Sequence, residues 1–200
     1  MNRPFRSSHR RSIAAVAALV ASSVATVQAS DTPNVQAPTE RVGEFRSAAG
    51  ESLDTFLLRV GKALVTFSEQ TQFEACGTIA RSADGQRYAV DAYTSQAHIF
   101  CASFAENVPD GMVSTGHAIH SHSTKRAFHA SDADRRFLGM RLTGDPVTIR
   151  IERPEWFSAG DYDNGPGYLA TKRGVYFQEG RGGERLLGHL PADAAPEATR

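Results

Sequence analysis

The sequence predicts an α/β (α+β) domain built on a mixed sheet, and three patterns carry that expectation. The first is an apolar stripe of Leu53, Phe56, Leu57, Val60, Leu64 and Phe67. It recurs at three- and four-residue steps, the period of an amphipathic helix. The second is a pair of apolar runs in QFEACGTIARSADGQRYAVDAY, joined through Asp84-Gly85 as a β-hairpin would be. The third is an irregular alternation of further strand and helix patterns with no internal repeat.

In chain order, MNRPFRSSHRR is basic and is followed by the small, apolar run SIAAVAALVASSVATV. Val27 and Ala29 then occupy the −3 and −1 positions of a signal-peptidase site. Residues 1–29 thus read as a secretory signal peptide cleaved after Ala29, which predicts a periplasmic or secreted protein. The run is shorter than the ~20 residues of a spanning helix and rich in Ala, so no membrane span is expected after cleavage. No cysteine follows it to take a lipid. Residues 30–48 are polar with two prolines and read as a flexible linker, and 191–200 as a disordered tail. The globular domain is then 49–190.

Within it, Ser52 is placed to cap the first helix. AHIFCASF fits a strand or a short helix. GMVSTGHAIHSH reads as a strand, and SDADRRFLGMRL as a helix starting at Ser131 with acidic residues in its first turn. DPVTIRIE reads as a strand, and GYLATKRGVYFQ as a closing hairpin that turns at Lys172 to Gly174.

Twenty-two basic and 22 acidic residues balance to zero, which points away from nucleic acid or an anionic membrane as a partner. Nothing in the sequence sets an oligomeric state. Cys76 and Cys101 are the only cysteines. Paired in an oxidising compartment they would add about 3 kcal/mol; unpaired, they would serve as small buried hydrophobes.

The chemistry concentrates in GHAIHSHSTKRAFHASDAD, residues 116–134, which holds four of the chain's seven histidines. Residues two apart on a strand share a face, so His120 and His122 converge and can close on one zinc ion. His117 points the other way, and the direction of His129 is open. A catalytic zinc takes three protein ligands and keeps its fourth position free. Asp134, in the first turn of the following helix, can supply the third ligand. Ser131 faces the same way and can donate to an oxyanion beside the metal. The remaining need is a carboxylate general base. Glu74, an acid at the start of an apolar strand and costly to bury without a role, can fill it.

These residues resemble the JAMM (MPN-plus) zinc metallopeptidases. That family's signature is a Glu, then His-Ser/Thr-His-Pro, seven residues, and Ser-x-x-Asp. This chain has Glu74-Ala75-Cys76-Gly77, His120-Ser121-His122-Ser123, the seven residues Thr124 to Ala130, and Ser131-Asp132-Ala133-Asp134. The resemblance spans roughly residues 70 to 140, and it departs from the family at Ser123, where proline is usual. It implies a curved mixed sheet flanked by helices, related to the deaminase architecture. It also implies zinc held by His120, His122 and Asp134, with Glu74 as general base and Ser131 stabilising the tetrahedral intermediate. The implied reaction is cleavage of a peptide or isopeptide amide in a peptide or protein substrate. The alternative is a non-catalytic, JAMM-like protein-binding module. A second Ser-x-x-Asp, Ser158 to Asp161, lies in FSAGDYDNGPGYLAT ahead of a strand. Asp161 therefore competes with Asp134. Asp134 is preferred, because a residue entering a helix is held more rigidly than one in a turn.

Overall fold

The computed structural model describes residues 39–191. The expected signal peptide, and the tail beyond residue 191, lie outside the described residues. Strand β1 (Glu40–Arg46) comes first, and helix α1 (Leu53–Thr71) follows. β2 (Ala75–Ser82) and β3 (Tyr88–Thr94) form a hairpin, and β4 (Met112–Ser121) carries the first histidines. A short β5 (Ala127–His129), α2 (Asp132–Phe137), β6 (Thr148–Arg150) and α3 (Ala159–Asp163) connect to β7 (Gly167–Thr171). β8 (Gly174–Gln178) and β9 (Arg185–Gly188) are the last strands among the described residues.

The result is a mixed α/β fold with few helices. Its main sheet has seven strands in the order β1-β3-β2-β4-β7-β8-β9, and β5 and β6 form a separate ribbon. Every neighbouring pair in the main sheet is antiparallel except β4 and β7, which run parallel. The parallel step places the C-terminal ends of β4 and β7 side by side.

Helix α1 forms where the apolar stripe predicts. Ser52 caps it by accepting from the Thr55 amide at 3.2 Å. Its buried face, Phe56, Leu57, Val60 and Leu64, packs on Ile79, Val90, Ile119, Ala170 and Val175 from the sheet. Each fully buried side chain of this kind contributes roughly 1.5 to 3 kcal/mol. The β2–β3 turn contains Gly85 at φ 71°, a conformation that glycine adopts without strain. Gly77 has a different role: a Cβ there would lie 2.6 Å from the Asp91 carbonyl oxygen, so the close approach of β2 and β3 requires glycine.

Three expectations need correction. Residues 40–46, expected in a linker, form edge strand β1 against β3; pairing of backbone groups along one side supplies order that polar side chains do not reveal. AHIFCASF is neither strand nor helix but an irregular strap. Asp161, expected in a turn, lies in a short helix, α3. Cys76 and Cys101 are joined as a disulfide. Among the described residues no helix is long and apolar enough to cross a membrane.

Candidate metal centre

β4 sorts its side chains by alternation. Ile119 and Ser121 point toward α1, where Ile119 joins the core and the Ser121 hydroxyl lies 2.7 Å from that of Ser68. His120 therefore takes the opposite face, and His122, just past the strand end, joins it. Their Nε2 atoms are 3.1 Å apart. His117 shares the face of Ile119 and packs edge-on against Tyr168 and Phe177. His129 lies exposed on β5, outside the group.

The carboxylate that meets the histidine pair is Asp161. Its Oδ1 is 3.1 Å from His120 Nε2, and its Oδ2 is 3.3 Å from His122 Nε2. All three ligand atoms lie within 4.8 Å of one another, a group that could hold a metal ion. Donors bonded at ~2.0 Å to a tetrahedral ion stand about 3.3 Å apart, close to the 3.1 Å between the two histidine nitrogens, while Asp161 meets each histidine through a different oxygen. The His122 ring is fixed from behind: its Nδ1 donates to the Pro154 carbonyl at 3.1 Å, which leaves the Nε2 lone pair facing the group. Burial works to raise the Asp161 carboxyl, but the two histidines outweigh it and hold the group well below the usual carboxylate range.

Glu74 lies beside this group, only 6% exposed, with Oε1 4.0 Å from His122 Nε2. Burial raises its carboxyl to about 8. The positive field of His122 opposes that shift, and the negative charges of Asp161 and Asp134 reinforce it. A buried acid poised near neutrality can both take and give a proton. His122 also lines a cavity of about 180 Å³ together with Thr124, Pro154, Thr171 and Lys172.

Asp134, the preferred third ligand from sequence, is not in the metal group. Its Oδ1 accepts from the His98 amide at 2.8 Å. Its Oδ2 lies 2.6 Å from His98 Nδ1 and accepts from the Ser131 amide at 2.8 Å. Burial raises this carboxyl too, but the His98 side chain and these amides prevail and lower it, so Nδ1 carries the hydrogen and donates. Ser131 is likewise directed away from the metal group. Its hydroxyl accepts from the Asp134 amide at 3.1 Å and donates to the Gln96 carbonyl at 2.9 Å.

A helix start holds a side chain more rigidly than a turn, which favours Asp134. That contrast does not exist here, because Ser158 and Asp161 also form a complete capping box at the start of α3. The FSAGD pattern carried the signal, and the turn residues after it obscured the helix. His98 has no role that the sequence reveals, because a single histidine in an unassigned apolar segment offers no pattern to read. No protein-family model, curated protein or solved structure matches the chain.

Proposed function

We propose that this protein is a zinc-dependent hydrolase of the JAMM type that cleaves a peptide or isopeptide amide. The observation that carries the reading is the meeting of His120, His122 and Asp161 within 4.8 Å, with the buried Glu74 beside them. Two imidazoles and one carboxylate brought together suit zinc, and three protein ligands leave a fourth position free. Zinc in such a site polarises a carbonyl and lowers the pKa of water to ~7.

The chain's own residues supply the rest. His120, His122 and Asp161 bind the ion, and Pro154 orients His122 through its carbonyl. Glu74 takes a proton from the attacking water at its carboxylate and delivers it to the leaving amine, a role suited to a buried carboxyl beside the histidine group. Ser158 takes the part that the JAMM pattern gives to the Ser of Ser-x-x-Asp. It lies three residues before the ligand and is exposed, and its hydroxyl is free to donate to a developing oxyanion. The Cys76–Cys101 disulfide supports action in an oxidising, extracytoplasmic compartment, in line with the signal-peptide pattern.

The test pairs metal analysis with hydrolysis of a peptide-amide library. Wild type should carry one zinc per chain and cleave library members. Glu74→Gln should keep the zinc and lose roughly 100- to 10,000-fold in rate. Wild type without zinc, or Glu74→Gln at full activity, would falsify the reading.

A further inference from the structure

Glu74 sits one residue before β2, so its backbone groups lie outside the strand's ladder. Both are satisfied by the segment 94–97 instead. The Glu74 amide donates to the Ala97 carbonyl at 2.8 Å, and its carbonyl accepts from the Thr94 hydroxyl at 2.7 Å. The orientation of the proposed base therefore depends on what holds that strap in place.

The strap is irregular yet buried: Ser95 and Ala97 are fully covered and His98 nearly so. Gln96 sits at φ 54°, a conformation a non-glycine residue keeps only when its surroundings impose it. The Gln96 amide donates to the Thr94 hydroxyl at 3.1 Å and its side chain to Glu40, and the Ser131–Asp134 box holds the rest. The Ser131 hydroxyl holds the Gln96 carbonyl, and the Asp134 carboxylate grips His98 at both its amide and Nδ1. The His98 ring is packed between Phe128, at 4.2 Å, and Phe73, the residue before Glu74, at 4.9 Å. At its far end the strap is tied by the disulfide from Cys101 to Cys76, two residues beyond Glu74.

We infer that Asp134 and His98 are positioning residues that act through the 95–101 strap to hold Glu74 against the metal group. Asp134 is thus a member of the catalytic apparatus without being a ligand. This role rests on the proposed hydrolase reading for its purpose, though not for its geometry. An error of ~0.5 Å in a catalytic group is enough to impair it, so a base anchored on a loop needs such a brace.

The test uses His98→Phe, which keeps the stacking surface but lacks the Nδ1 donor, and Asp134→Asn, which keeps an acceptor for the His98 amide. Three readouts apply to the full chain: zinc content, hydrogen exchange at the Glu74 amide, and the absorption spectrum of the cobalt-substituted protein. Both variants should bind zinc stoichiometrically. Their Glu74 amide should exchange ~10-fold faster or more, the effect of losing about one hydrogen bond's support. Their cobalt spectra should shift in the direction that Glu74→Gln produces. Val60→Ala, a core truncation on α1, tests loss of stability alone and should leave the cobalt spectrum unchanged.

Wild-type exchange and spectra in both variants would overturn the inference. Loss of zinc from Asp134→Asn would also overturn it, by making Asp134 a ligand. If the wild type binds neither metal, the hydrolase reading fails, while exchange at Glu74 still decides whether the brace exists.

Discussion

The two Ser-x-x-Asp boxes are close copies in local structure and opposites in surroundings. In each, the serine is extended, with φ and ψ of −71° and 169° at Ser131 and −81° and 171° at Ser158. In each, the serine hydroxyl accepts from the aspartate amide while the aspartate carboxylate accepts from the serine amide. Asp134 is fully buried and directs its remaining capacity at His98, whereas Asp161 directs its own at His120 and His122. Identical capping chemistry thus directs one carboxylate at His98 and the other at the His120–His122 pair. The motif fixes how the carboxylate is held, and the tertiary fold decides what it meets.

That contrast can be broken most forcefully at the aspartates. Asp134→Ala leaves a buried histidine ring and a buried amide without partners, and should cost about 3 kcal/mol in chemical denaturation. Asp161→Ala, at a partly open site, should cost the metal-free protein much less. Equal losses would erase the distinction between brace and ligand. Removing the disulfide with Cys76→Ser and Cys101→Ser should cost about 3 kcal/mol, since it closes a loop over a sequence separation of 25. It should also speed exchange at Glu74, because the strap loses its far anchor.

The caps give a smaller and sharper comparison. Ser131→Ala and Ser158→Ala should each cost about 1 kcal/mol of stability. Only Ser158→Ala should weaken zinc, by the ~10- to 100-fold typical of a partner that orients a ligand.

The comparison also extends to pH dependence. Burial lifts Glu74 to about 8, above the ~4.3 of an unfolded glutamate. Between those values the folded protein holds a proton that the unfolded chain releases. The stability of the zinc-free protein should therefore fall as pH rises from about 4.3 toward 8, then level off. Glu74→Gln should abolish that slope. Asp134 behaves in the opposite sense: its lowered carboxyl contributes stability above the unfolded value, and that contribution is lost as pH falls through the folded one.

Much of this was legible in the sequence because it is local. The α1 stripe, the Asp84-Gly85 hairpin, the turn at Lys172 to Gly174 and the two-residue spacing of His120 and His122 each depend on neighbours in the chain. Glu74 was found for a related reason, since an acid inside an apolar run is conspicuous. What was missed depends on long-range placement. β1 is ordered by a partner strand some fifty residues later, with Glu44 opposite Asp91. The choice between Asp134 and Asp161 rests on the parallel pairing of β4 with β7, which brings the α3–β7 region beside His120. Spacing after the histidines favoured Asp134, and no local pattern could reveal that His98 already occupied it.

The central claim is that Asp161, rather than Asp134, completes the metal group with His120 and His122. Zinc content and affinity measured side by side in Asp161→Ala and Asp134→Asn test it most directly. The account predicts that Asp161→Ala loses stoichiometric zinc, by more than the ~100-fold of an outer-shell change, while Asp134→Asn retains it. Zinc retained in Asp161→Ala and lost from Asp134→Asn would contradict it.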